Sequence, residues 1–164
     1  MRVLLTFISC MIFAVASSQN YTRDFSLYKS TNLQLGYGYS FAEPNTKDFH
    51  LLEVGINKTV YGGRHGAGFQ YGFGTEIGLN TENLIFGPKL SGFLYYGFLT
   101  FGVELVTYTD FNQNTLRFVP ALGIGGERFK ITINPHLILI NKSFQPIDRG
   151  MLSFSINIPL QRKK

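Results

Sequence analysis

The sequence has one cysteine, no tryptophan and little charge: 15 Lys and Arg and 10 Asp and Glu among 164 residues. Cys10 lies inside an N-terminal apolar stretch that reads as an export signal. Without that stretch the chain has no thiol, which excludes a disulfide, a cysteine metal site and a cysteine nucleophile. The net charge of +5 is modest, and the basic residues are scattered apart from Arg162-Lys163-Lys164. No aromatic or basic cluster accompanies that tail, so no nucleic-acid partner is expected. Past the signal, no apolar run is long enough for a spanning helix. The longest, 98–106 and 136–140, are strand-sized, so a membrane role would have to come from strands. A helical period of 3.6 residues is also missing.

What is present is glycine (18), Phe (16) and Tyr (9), arranged with period two. From Phe69 to Leu79, the residues Phe69, Tyr71, Phe73, Thr75, Ile77 and Leu79 share one face of an extended strand. Gln70, Gly72, Gly74, Glu76 and Gly78 share the other. A half-buried soluble strand usually crowds its polar face with Lys, Glu and Thr. Here that face is mostly glycine, which suits a narrow barrel with lipid outside and a filled polar interior.

Residues 1–18 are predicted to be a cleaved signal peptide. Arg2 supplies its positive start, 3–15 its apolar stretch, and Ala16-Ser17-Ser18 a small-residue cleavage pattern before Gln19. A short polar leader, 19–31, precedes a barrel domain at 32–160, and 161–164 form a basic tail. Within the barrel domain, eight segments are predicted as strands: 32–42, 49–61, 67–79, 84–95, 98–109, 116–125, 129–140 and 151–160. Each repeats the two-faced pattern, as in Leu33, Leu35, Tyr37 and Tyr39 against Gln34, Gly36 and Gly38. The connections alternate between polar loops (43–47, 80–83, 110–115, 141–150) and glycine-bearing turns. The predicted fold is therefore all-β, an eight-stranded antiparallel up-and-down transmembrane β-barrel. Pro88, Pro120 and Pro135 fall inside strands, where proline removes a ladder donor. Bulges, strand ends or a strand in two pieces are expected there.

With the small polar face inward, Glu53, Glu76 and Glu104 meet Lys89, Arg117 and Lys130, three acids against three bases. His136 also points in, with Gln34, Gln70, Asn134 and Asn157. These charges are expected to pair, with Arg117 as the hub because its planar fork can hold two carboxylates. An eight-stranded barrel is just wide enough to be filled by such side chains, so the set reads as a polar plug. A narrow pore is the alternative use of the same interior. The histidines His50, His65 and His136 lack metal-ligand spacing. No glycine-rich loop opens a helix to cradle phosphate, so neither metal nor cofactor is expected. The chain is read as a non-enzyme, a lipid-modifying outer-membrane enzyme being a lesser alternative. Tyr37, Tyr39, Tyr71, Tyr95, Tyr96 and Tyr108 are expected in interfacial girdles. In a secreted, lipocalin-like soluble barrel binding an apolar ligand, the faces would be reversed, with Phe and Leu inside.

The signal ending Ala16-Ser17-Ser18-Gln19 carries a resemblance, together with Gly87-Pro88-Lys89-Leu90, Tyr108-Thr109-Asp110-Phe111, Leu116-Arg117-Phe118-Val119-Pro120-Ala121-Leu122-Gly123 and Leu152-Ser153-Phe154-Ser155-Ile156. With these the chain resembles the small outer-membrane β-barrel proteins of the Bacteroidetes group, in the broad class similar to the OmpA transmembrane domain and OmpX. The resemblance implies a place in the bacterial outer membrane, with outer-membrane lipid and the barrel-assembly machinery as partners. It implies no particular activity or loop partner. One departure is plain. Barrels of this class often end on an aromatic residue, whereas this last strand ends Ile158-Pro159-Leu160.

Overall fold

A sheet with two unlike faces can bury one of them by curling on itself, and the chain does so by closing the sheet. The computed structural model describes residues 27–41, 48–63, 65–81, 83–142, 144, 147 and 149–164. The predicted signal with Cys10, most of the leader and the first connection, 43–47, lie outside the described residues. Among the described residues the strands are β1 (Tyr28–Phe41), β2 (Phe49–Gly62), β3 (Ala67–Gly78), β4 (Phe86–Tyr96), β5 (Leu99–Thr109), β6 (Asn114–Gly125), β7 (Phe129–Pro135), β8 (Leu137–Ile140) and β9 (Gly150–Lys163). All pair antiparallel with their neighbours. The ring runs β1 to β6 in chain order, continues through β7 and β9, and closes on β1, with β8 extending the seventh stave along β6. The result is an eight-staved closed barrel. One rim carries the tight turns and both ends of the described chain (the turn end). The other carries the longer loops (the loop end).

The prolines act as ladder breakers in three ways. Pro135 ends β7, so the predicted seventh strand is two pieces separated by His136. The pairs Leu122↔Ile133 and Phe118↔Leu137 place Pro120 opposite Pro135, and pairing lapses between them without a change of register. Pro88 leaves a similar gap between Phe86↔Thr109 and Lys89↔Val106, again in register. Pro159 sits at a bulge, where the β1 partners step from Pro159 to Gln161. Beyond that bulge the expected basic tail is not a tail. It continues β9 and pairs Lys163 with Lys29, which places the last leader residues, Tyr28 to Thr31, inside β1. Their polar composition concealed this extension from a reading based on apolar alternation.

Two-residue closure at the turn end between β4 and β5 depends on Gly97, whose φ of 62° is left-handed and open to glycine. Inside, two close approaches also require glycine. A Cβ on Gly102 would lie 2.2 Å from the Phe93 ring, and one on Gly87 would lie 2.6 Å from the Tyr108 ring. The inward glycines thus make room for aromatic rings as well as for charged side chains.

The faces sort as the alternation predicts. Phe73 (64%), Leu90 (62%), Leu122 (58%) and Ile133 (59%) are exposed on the outer wall, whereas Gln70, Glu76, Lys89, Arg117 and Thr132 are buried inside. Two predicted girdle members are corrected: Tyr95 (2%) and Tyr108 (0%) point inward. Both lie on the inward parity of their strands, and position outweighs residue type. Tyr37, Tyr71 and Tyr96 do stand on the outer wall, and Tyr39 is half-buried there.

Candidate functional site: the barrel interior

The interior is layered along the barrel axis. At its centre the ammonium of Lys89, from β4, meets three carboxylates carried by β2, β3 and β5. Its Nζ lies 2.8 Å from Glu53, 2.7 Å from Glu76 and 3.1 Å from Glu104. Burial in this apolar-walled cylinder makes such pairing obligatory, because an unpaired charge would forfeit its hydration without return. Strand register explains the convergence: Glu53 faces Glu76 across the β2–β3 ladder, and Lys89 lies one strand further on. Gln34, from β1, donates through Nε2 to Glu53 Oε1 at 2.6 Å, the same oxygen that Lys89 contacts.

Towards the turn end the carboxylates give way to amides. Asn57 Nδ2 donates to Gln34 (2.9 Å) and Asn157 (2.8 Å), Gln70 donates to Gln34 (3.0 Å), and Asn157 donates to Gln70 (3.1 Å). Asn32 extends the mesh to Asn57 and Thr59, and the Tyr95 hydroxyl donates to Gln70. Each amide offers both donors and an acceptor, so the mesh satisfies itself without net charge. Glu127 seals this end. It lies in the glycine-bearing turn between β6 and β7, and its carboxylate is buried and accepts from the Tyr28 hydroxyl and from Ser30 Oγ (2.9 Å). Among the described residues the buried charges are therefore four acids and three bases rather than a balanced six.

Towards the loop end, Tyr108 bridges two charge layers. Its hydroxyl donates to Glu76, its ring stacks on His136 at 6.0 Å, and the Arg117 guanidinium lies 5.5 Å from the ring centroid. Arg117 also lies 3.3 Å from His136 Nδ1 and donates to the Phe144 carbonyl at 3.3 Å. This corrects the expectation that Arg117 gathers the acids: Glu53, Glu76 and Glu104 converge on Lys89. Inward parity assigns a residue to the lumen but does not fix its height along the axis, and Arg117 sits nearer the loop end.

Lys130 is also corrected. It is buried, as expected, but its ammonium stands 4.5 Å over the Phe93 ring and makes no hydrogen bond. Glu104 Oε2, Thr100 Oγ1 and His136 Nε2 are likewise buried without a hydrogen-bond partner. Among the predicted lumen set, the structure thus brings together Glu53, Glu76, Glu104 and Lys89. It joins Arg117 and His136 in a neighbouring group and leaves Lys130 without a hydrogen bond, within electrostatic reach of Glu53 and Glu104.

The interior is not polar throughout. At the loop end Leu51, Ile85, Val106, Val119, Met151, Phe144 and Ile147 form an apolar stopper with Tyr108. Phe144 and Ile147 come from the last of the predicted polar loops, 141–150, and are buried in the barrel. Phe93, Tyr95 and Ala121 form a second apolar cluster, against which Tyr61 packs. The buried loop residues carry no periodic signal, and only their isolated hydrophobicity within a polar stretch could have suggested burial.

His50 lies on the outer wall near the loop end, between Tyr37 and Tyr39, and shares a hydrogen bond with the Tyr37 hydroxyl. Tyr39 in turn donates to Asp48. His65 packs beside Tyr96 at the turn end. Among the described residues no group of three or more His, Cys, Asp or Glu is placed to hold a metal ion. No family model, curated protein or solved structure matches the chain.

Proposed function

We propose that this chain is a bacterial outer-membrane β-barrel whose interior is a charge-paired plug, with a structural or surface-interaction role. The observation that carries the reading is the inversion of its two faces. Large apolar side chains cover the outer wall on all eight staves, while the charged and amide side chains are inside. In water such a wall would be an aggregation surface far larger than the few hundred Å² that soluble monomers tolerate. In a bilayer it is the required surface, and a closed ring leaves no edge groups unsatisfied. Strands of 11 to 14 residues on seven of the staves meet or exceed the ~9–11 residues that a tilted crossing needs. Tyr37 and Tyr39 near one rim, and Tyr71 and Tyr96 near the other, suit the two interfacial girdles.

The filled interior favours a plug over a pore. The Lys89 cluster, the amide mesh and the apolar stopper occupy successive levels of the same cylinder. The same filling speaks against a soluble carrier, which would need an apolar cavity where Lys89 and Arg117 now lie. Alkaline carbonate extraction of cell envelopes, followed by sucrose-gradient separation, tests the proposal. The protein is expected in the carbonate-resistant outer-membrane fraction. Recovery as a soluble periplasmic protein without detergent would overturn it.

A further inference from the structure

The apolar wall is interrupted in one sector. Across β3, β2, β1 and β9, the residues Phe73, Ile56, Leu33 and Ile158 form one continuous apolar row by register. One row nearer the turn end, the same strands present Tyr71, Lys58, Thr31 and Gln161. Beyond that, Lys29 stands directly opposite Lys163. Lys29, Lys58 and Lys163 are all exposed, and they line a shallow cavity of about 290 Å³ with Thr31, Tyr71 and Gln161. Like charges directly opposite on paired strands destabilise a sheet. Here two such residues share a cross-strand pair, and Lys58 is a diagonal neighbour. Among the described residues no salt bridge joins a carboxylate to Lys29, Lys58 or Lys163.

We propose that this sector binds the headgroup of an anionic phospholipid. The phosphate would sit among the three ammoniums and the Thr31 hydroxyl, and the acyl chains would run along Ile56, Leu33 and Ile158. The charge triad meets the apolar wall at one rim, matching a molecule that is anionic at one end and apolar along its length. Tyr71 stands beside the triad, at the level an interfacial aromatic takes. Free phosphate would use the same ammoniums but gain nothing from the apolar row. The inference rests on the membrane reading above.

The test uses the full barrel, purified in a neutral detergent and also reconstituted in phosphatidylcholine vesicles. Native mass spectrometry would compare retention of phosphatidylglycerol with that of phosphatidylcholine. The wild type is expected to retain one phosphatidylglycerol preferentially. Each lysine near an anionic headgroup contributes about fivefold, so Lys29→Gln/Lys58→Gln/Lys163→Gln should weaken retention on the order of a hundredfold. Lys142→Gln, in the last loop, should leave it unchanged. Equal retention of both lipids, or no loss in the triple variant, would overturn the inference while insertion into phosphatidylcholine vesicles still upheld the membrane reading. Full displacement of the lipid by millimolar inorganic phosphate would also overturn it. Failure to insert at all would instead remove the membrane reading on which it depends.

Discussion

Two buried lysines occupy the same barrel on different terms. Lys89 holds three carboxylates within 3.1 Å, whereas Lys130 rests on the Phe93 ring with no hydrogen bond to its ammonium. Both lie on the inward parity of their strands, and both are nearly inaccessible. The difference teaches that inward parity makes a residue buried but does not give it a role. Around Lys89 the cation is what allows three acids to share one cross-section. Around Lys130 the long apolar stem and the aromatic face beneath it carry the packing, and the charge acts on Glu53 and Glu104 only at longer range.

The largest effect should follow from removing the first of these. Lys89→Met keeps the volume but leaves Glu53, Glu76 and Glu104 together without their shared cation, and breaking a buried pair in this way costs ~3–5 kcal/mol. Urea unfolding in detergent micelles should show a much lowered midpoint or no folded barrel. An unchanged midpoint would mean that other groups neutralise the acids. Next come two changes at the loop end. Phe144→Ala empties part of the apolar stopper and is expected to cost about 3 kcal/mol. Arg117→Ala leaves the three acids on Lys89 but removes the donor to the Phe144 carbonyl, so it should cost about 2 kcal/mol, less than Lys89→Met. Finding Arg117→Ala the more damaging would reverse the ranking of the two cations.

Lys130→Met inverts the sign. It removes a buried ammonium that makes no hydrogen bond and keeps a polarisable chain over Phe93, so the barrel should be unchanged or stabilised by about 1 kcal/mol. The same urea titration reads it, and a loss comparable to that of Lys89→Met would erase the contrast between the two lysines. The smallest effect lies outside the strands. Asp110 Oδ1 accepts from the backbone amides of Asn112 (3.0 Å) and Gln113 (2.6 Å), and these bonds hold its carboxyl below the usual aspartate value. A depressed folded value means the turn is held above the ordinary aspartate range and released as pH falls through the lowered value. The protection of the Asn112 and Gln113 amides, relative to their intrinsic exchange rates, should therefore fall at acid pH, while strand amides stay protected. Exchange that ignores pH beyond its intrinsic chemistry would contradict that account.

Much of the fold was legible because its driving pattern is local. The alternation from Phe69 to Leu79 assigns faces without reference to any other strand, and the eight staves follow from repeating it. The seventh stave broke where Pro135 removes a donor, one of the outcomes expected of an interior proline. The interior was less legible, because heights along the axis come from register and tilt, which no single strand encodes. That is why Arg117 looks like the hub in the sequence, whereas Tyr95 and Tyr108 point inward because strand parity outweighs the interfacial preference of tyrosine. Glu127, Phe144 and Ile147 were missed for another reason. They sit in connections, where no periodicity marks a residue that turns back into the barrel. The polar ends of β1 and β9 escaped because their strand character comes from pairing with each other rather than from an apolar face.

The central claim is that the apolar face meets lipid and the polar face meets neither lipid nor bulk water. It can be read position by position on β3 in a background without Cys10. Single cysteines placed in turn from residue 69 to 78 would carry a nitroxide in reconstituted bilayers, and collisions with oxygen would be compared with those of a water-soluble nickel chelate. Positions 69, 71, 73, 75 and 77 should be open to oxygen and closed to nickel, while 70, 72, 74, 76 and 78 should be closed to both. Outer positions that collide freely with nickel and not with oxygen would contradict the account, because the wall would then face water.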